Sequence, residues 1–197
     1  GMLMSMRALP GRDLRSSPKT SPATVTRHSA HADQQRRILR AVGELVGERG
    51  YGDVTVEAIV KRAHVSFKTF YKHYASKEEC LLALCERLYD RSETTIRERL
   101  ADDPASWPEQ VVLVLTAFFE LIAAEPVLAR AVVVESPTVG PALRERYEQA
   151  TRSLVPLFRA GREFNPRGDE LPETIEETLA GSVFWSAYQR LIVGEAE

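Results

Sequence analysis

The chain has 197 residues, 44% of them hydrophobic and 27% charged, with a formal net charge of −2. That is ordinary globular composition, enough for one large domain or two small ones. It argues against a membrane protein: the best apolar run, Val111 to Ala124, is interrupted by Thr116 and Glu120 and is short for a bilayer, and no apolar segment follows Arg7, Arg12 and Arg15 to make a secretory signal.

The small net charge conceals an asymmetry. Residues 1–75 hold 13 Lys and Arg against 6 Asp and Glu, a net of +7, and residues 76–197 carry −9. A basic front and an acidic back point to a polyanion as the partner of the front half. Cys80 and Cys85 lie five apart within a helical pattern, a spacing that does not bring two thiols together on a helix. Both read as reduced core residues of a cytoplasmic protein.

Residues 1–31 hold Pro, Ser, Thr and Arg with almost no branched aliphatics, and are expected to form a disordered basic arm. From Asp33 the pattern turns helical. Ile38, Val42, Leu45 and Val46 recur at helical spacing and Gly50 ends the run. A short second helix follows Thr55 as N-cap, with Val56, Ile59, Val60 and Ala63 on its apolar face. A tight turn at His64-Val65 leads to Ser66, the cap of a third helix carrying Phe67, Phe70, Tyr71 and Tyr74. Ser76-Lys77-Glu78-Glu79 is a capping-box pattern and opens a long helix through Leu81, Leu84, Cys85 and Leu88 to Leu100.

Asp102-Asp103-Pro104 should end that helix. Further helices are expected from Trp107-Pro108 through Leu121, over 126–136, over 141–161 and over 173–193, with a polar loop from Gly161 to Pro172. Strand alternation is missing, so the fold class is all-α, with an N-terminal three-helix part (residues 32–75) followed by a C-terminal helical part (76–197).

Two short helices joined by a turn of three or four residues make a helix-turn-helix. Lys68 and Lys72 are four apart on the second of them, so they share a face that fits a major groove. The first helix ends in Arg49-Gly50-Tyr51. There follow Thr55-Val56 with Ile59, Ala63 with Val65-Ser66, Phe70-Tyr71 with His73-Tyr74, and Ser76-Lys77-Glu78-Glu79. Over residues 33–85 this succession resembles the TetR family of transcriptional regulators. The remaining residues resemble it in architecture alone.

The resemblance implies a role for each matching position. Thr55 caps the second helix against a phosphate and Ser66 caps the recognition helix. Phe67, Lys68, Thr69 and Lys72 lie where the family reads bases or flanking phosphates, Tyr71 and His73 touch the backbone, and Lys77 pins another phosphate. It implies an N-terminal DNA-binding domain with a helix-turn-helix over residues 32–75, a C-terminal ligand-binding and dimerisation domain over 76–197, a homodimer, a two-fold operator in double-stranded DNA, release of DNA by a small-molecule effector, and repression as the usual outcome. Two positions depart from the family pattern: Val60 replaces a small residue, and His64 replaces a glycine with positive φ. A further apolar helix often follows a Gly-Glu segment such as Gly194-Glu195.

The effector is expected to be apolar and bound in the C-terminal bundle by Trp107, Phe118, Phe119, Tyr147, Trp185 and Tyr188, with small residues such as Ala123, Ala180 and Gly181 leaving room between the rings. The 173–193 helix should join the dimer, with Val183, Phe184 and Leu191 either as contacts across it or as core residues within one subunit, and Glu173, Glu176 and Glu177 read as a solvated charge cluster. His64 and His73 have no Cys or carboxylate partners at ligand spacing, so neither a metal nor a cofactor is expected. Two rival readings are a helical-bundle enzyme, which needs polar groups converging in an otherwise apolar C-terminal core, and a TetR-like scaffold acting through protein contacts alone. Retention of Lys68, Lys72 and Lys77 argues against the second.

Overall fold

The computed structural model describes residues 22–102 and 106–193. The N-terminal part of the basic arm, the Asp103-Pro104 break and Gly194-Glu195 lie outside the described residues. Two units are distinguished, residues 1–33 and residues 34–197. In the first, residues 22–33 are the leading turns of α1 (Pro22–Arg49). The helix therefore begins eleven residues before Asp33, and residues 22–31 are helical instead of disordered. Pro22 suits a first turn, and alanines at 23, 30 and 32 carry the highest helix propensity.

The rest of α1 places Ile38, Val42, Leu45 and Val46 in the core, and Gly50 ends it at φ +82°. Helices α2 (Val56–Ala63) and α3 (Phe67–His73) form the expected hairpin. α4 (Lys77–Asp102) opens on its capping box: Ser76 Oγ accepts from Glu79 N at 3.1 Å, and the Glu79 carboxylate reaches back to Ala75 N at 2.7 Å. α5 (Trp107–Ala124) starts behind Ser106, whose amide donates to Glu109 at 2.9 Å. Its start at Trp107 lengthens the apolar segment to 18 residues with mean hydropathy 1.4. By length and composition alone α5 thus reaches the size of a bilayer span, correcting the shorter reading, although a core helix of a soluble protein passes the same test. Val114 and Ala117 are buried, and Glu120 pairs with Arg99 of α4 at 2.8 Å.

α6 (Pro126–Arg130) runs into a π-helical turn, Ala131–Glu135, and a 3₁₀ turn, Ser136–Thr138. Residues 131–134 of the π turn are all buried. α7 (Pro141–Arg152) and α8 (Val155–Ala160) replace the single helix expected over 141–161. The break falls just before Pro156, which supplies no amide hydrogen to the preceding turn. α9 (Ile175–Val193) closes the described chain. No strand occurs among the described residues. One apolar core runs from Ile38 and Phe70 in the front helices through Leu81 and Cys85 of α4 to Phe184 of α9. Both cysteines are buried and free, as expected.

Candidate nucleic-acid interface

The hairpin is held onto α1 by charge as well as by packing. Ile59, Val60 and Ala63 of α2 and Phe70 of α3 are buried against the α1 stripe. Arg62 reaches back from α2 to α1, donating to Glu44 at 3.3 Å and to both oxygens of Glu48 at 3.1 and 3.0 Å. That fork holds the Glu48 carboxyl below its ordinary pKa. Arg37 of α1 donates to the carbonyls of Ala63 and His64 at 2.9 and 3.3 Å, where the end of α2 has orphan acceptors. Neither arginine is identifiable from local sequence, because each works across 14 to 27 residues.

The turn has the geometry implied by the resemblance. His64 sits at φ 52°, ψ 49°, the left-handed region for which the family uses glycine. His64 N bonds Lys61 O at 3.3 Å and Val65 N bonds Val60 O at 3.0 Å, the two bonds of a Schellman motif. Histidine occupies this region at a cost of about 1 kcal/mol. Val60 is 6% exposed, so the bulkier residue is absorbed in the core.

Both expected N-caps form. Thr55 Oγ1 accepts from Ala58 N at 3.2 Å, and Ser66 Oγ accepts from Thr69 N at 3.1 Å. Ser66 Oγ also lies 2.9 Å from Thr69 Oγ1, which ties Thr69 to the cap. Along α3, Phe70 is wholly buried while Lys68 and Lys72 are exposed, Phe67 is 48% exposed and Tyr71 56%. His73 is half-buried beside Tyr74. One face of this seven-residue helix locks into the core and the other offers two ammonium groups and two aromatic rings to solvent. Such a face can pair with phosphates and stack on or pack against base edges.

Lys77, expected at a phosphate, also makes contacts within the chain. Its ammonium donates to Tyr51 O at 3.0 Å and Val54 O at 2.7 Å, and lies 4.1 Å from the Tyr51 ring centroid. The lysine is half-buried and staples the α1–α2 loop to the start of α4, so two of its three donors are withdrawn from any phosphate.

Of the six aromatics expected at the effector site, Phe118, Phe119 and Tyr147 gather around Phe184, with Phe118 5.3 Å from Phe119 and 5.2 Å from Phe184, while Trp107, Trp185 and Tyr188 lie elsewhere. Trp185 is 60% exposed and stacks on Tyr188 along the outer side of α9. Trp107 donates to Leu157 O at 2.8 Å and stacks on Phe164. Tyr147 packs edge-on against Phe184, and Phe119 lies beneath Arg190. Only Phe118 of the six lines the cavity between α4, α5 and α6, a space of about 110 Å³ walled also by Leu88, Tyr89, Leu121, Leu128 and Val132. Helical spacing shows which residues share a face of one helix, but not which faces of different helices meet. A wider cleft of about 430 Å³ lies between Gly47 of α1, Phe119 and Ile122 of α5, Val127 of α6 and Leu191 of α9.

In the last helix one alternative is decided and one expectation is corrected. Val183 and Phe184 are 9% and 3% exposed and belong to the subunit's own core; the outward apolar residues are Leu179, Trp185, Ile192 and Val193. Glu176 is 2% exposed and is not part of a solvated cluster. It accepts from Arg162, whose other donors hold the carbonyls of Gly168, Leu171 and Pro172. The arginine bond holds the Glu176 carboxyl below its ordinary pKa. No grouping of three or more His, Cys, Asp or Glu suited to a metal occurs among the described residues.

A family model matches the segment that holds the hairpin, and longer matches extend beyond it. Residues 38–84 match the model of bacterial regulatory proteins, tetR family. The chain is 23% identical over 160 residues to the fatty acid metabolism regulator protein of Bacillus subtilis, covering 79% of this chain and 80% of that protein. It is 29% identical over 101 residues to the HTH-type transcriptional regulator EthR of Mycobacterium tuberculosis, covering 50% of this chain and 46% of that one. The fold superposes on the transcriptional regulator FadR of Bacillus subtilis in complex with stearoyl-CoA with a TM-score of 0.68 at 20% identity, over 82% of this chain and 89% of that one.

Proposed function

The chain belongs to the TetR family of bacterial regulatory proteins, and on that premise we propose that it is a ligand-responsive, DNA-binding repressor working in the cytoplasm as a homodimer on a two-fold operator. The observation that carries the reading is the split of α3 into a buried Phe70 side and an exposed side bearing Lys68, Lys72, Phe67 and Tyr71. Phe67, Lys68, Thr69 and Lys72 face bases and flanking phosphates; Thr55, Ser66, Tyr71 and His73 fix the register on the backbone. The dimer forms across the outward side of α9, where Leu179, Trp185, Ile192 and Val193 stand exposed. Its two-fold axis sets the hairpins about 34–36 Å apart, one turn of DNA.

The effector is a small apolar molecule held between α4, α5 and α6. The wall of Leu88, Phe118, Leu121, Leu128 and Val132 favours apolar contact. Tyr89 lines the same space, and its hydroxyl is buried with no hydrogen-bond partner among the described residues, so it supplies one polar anchor. At about 110 Å³ the cavity suits a single small ring as it stands, and anything larger spreads α6 from α4 and α5. The Bacillus subtilis neighbour is in complex with stearoyl-CoA, whose stearoyl chain is apolar and whose coenzyme A part is anionic, and it supports an effector with an apolar portion.

A binding titration of the protein on DNA from its own promoter region, across a range of salt, tests the reading. Operator affinity should fall steeply with salt and stand well above that for random DNA. Equal affinity for both would leave only the protein-contact scaffold.

A further inference from the structure

A single carboxylate joins the effector half to the hairpin. Glu135 is the last residue of the π turn that follows α6, and it is half-buried. Its Oε2 accepts from the backbone amide of Tyr51 at 3.2 Å, across 84 residues of chain. Its Oε1 lies 3.6 Å from Arg130 Nη2, and Arg130 also donates to Leu191 O of α9 at 3.2 Å. Tyr51 begins the loop before α2, and its carbonyl is the one held by Lys77. A continuous path thus runs from α9 through Arg130, Glu135 and Tyr51 to the α1–α2 loop and the start of α4. Gly50, at φ +82°, takes the left-handed turn that brings the Tyr51 amide to the carboxylate.

The same α6 segment walls the cavity. Leu128, Ala129, Val132 and Val133 line it, and Glu135 follows within three residues. α6 also rests directly on α1, where a Cβ on Gly47 would come 2.0 Å from Val127 O. That seat is rigid backbone against backbone. Movement of α6 away from α4 and α5 therefore has little freedom at Val127 and is passed along the π turn toward Glu135. A π turn within a helical segment is rare and occurs mostly where a segment serves a function.

We infer that Glu135 is the positioning residue through which occupancy of the cavity reaches the DNA-reading hairpin: a filled cavity shifts the π turn, the carboxylate leaves the Tyr51 amide, and the loop that sets α2 and α3 loosens. The inference rests on the reading of the cavity as the effector site. It adds the route by which that site acts.

The test replaces an unidentified effector by a side chain. Ala129→Leu places extra bulk in the cavity, with Val133→Leu as a gentler filler, each in the full chain with and without Glu135→Ala. Two quantities are read: hydrogen exchange at the Tyr51 amide, and affinity for promoter DNA. With Glu135 present, a filler should speed exchange at Tyr51 and weaken operator binding, each by about tenfold, within the usual range of coupling between sites. The Gly50 amide, bonded to Val46 O within α1, should stay protected and so marks an intact fold. With Glu135→Ala the Tyr51 amide should exchange fast from the outset, and a filler should then change operator affinity less than about twofold. Glu135→Gln keeps an acceptor for the amide and should restore most of the protection. If a filler weakens operator binding equally with and without Glu135, the relay is wrong while the cavity keeps its regulatory role. If neither filler changes operator binding or Tyr51 exchange, the relay and the cavity reading both fall.

Discussion

The Lys77 ammonium lies 4.1 Å above the Tyr51 ring and donates to the carbonyl of the same residue at 3.0 Å. A lysine placed by the family pattern among the phosphate contacts therefore holds the protein to itself. Lys77→Ala removes two charge-assisted bonds and a cation–π contact from the loop before α2. Stability should fall by about 1–3 kcal/mol. The salt slope of DNA binding should stay the same, since no counterion-displacing charge is lost. A chemical-denaturation curve and a salt titration of the variant check the two halves; a slope flattened by about one unit would return Lys77 to the phosphate contacts.

Lys72 stands exposed on the outer side of α3, one turn beyond Lys68. Lys72→Ala should weaken the operator more than random DNA, by a factor corresponding to about 1–3 kcal/mol at the operator. Competition binding with the two DNAs measures the difference. Equal losses would make Lys72 a phosphate contact only.

His64 holds a left-handed backbone conformation, the one non-glycine residue with positive φ among the described residues. His64→Gly relieves the Cβ clash and should raise stability by up to about 1 kcal/mol, reduced by glycine's greater freedom when unfolded. His64→Val, β-branched, should lower it by more than that. Thermal melts of the pair give the sign directly.

Glu176 carries its pH dependence in a definite direction. Its folded pKa is depressed from the ordinary 4.5 by the bond from Arg162, so it contributes stability at neutral pH that is lost as pH falls through the folded value. Melting temperature should therefore drop as the solution is acidified below about pH 4.5, with a steeper fall in the wild type than in Glu176→Gln. Melts across pH 3 to 7 on both proteins decide it, and parallel curves would mean the pair adds nothing.

Tyr89→Phe deletes a buried hydroxyl that has no hydrogen-bond partner among the described residues. The free protein should be as stable as the wild type or more so by about 1 kcal/mol, since an unsatisfied buried donor is costly. Effector binding should weaken. Matched small probes, acetophenone and ethylbenzene, separate the roles by thermal shift: the ketone should lose its advantage over the hydrocarbon in the variant. An unchanged ketone preference would remove Tyr89 as the anchor.

Much of the front of this molecule is determined by its sequence because the signals there are local. Thr55 and Ser66 cap the helices that follow them, Gly50 ends α1, and Phe70 alternates with Lys68 and Lys72 at a spacing that separates a buried side from an exposed one. Each of these is a relation between residues a turn or two apart, governed by backbone geometry that does not depend on distant partners. The all-α class follows from the same short-range periodicity. What the sequence left open depends on how helices meet. Trp185 and Phe184 are neighbours in the chain, yet Phe184 packs between Phe118 and Tyr147 while Trp185 faces outward. Glu176 reads as one more acid in a charged run until Arg162 covers it. Nothing near Lys77 in the chain signals that its ammonium bonds the carbonyls of Tyr51 and Val54. Glu135 has no local signal, because its partner lies 84 residues away. Only the packing of whole helices brings such groups within hydrogen-bond range, and a linear pattern does not contain the angle or the register at which two helices cross.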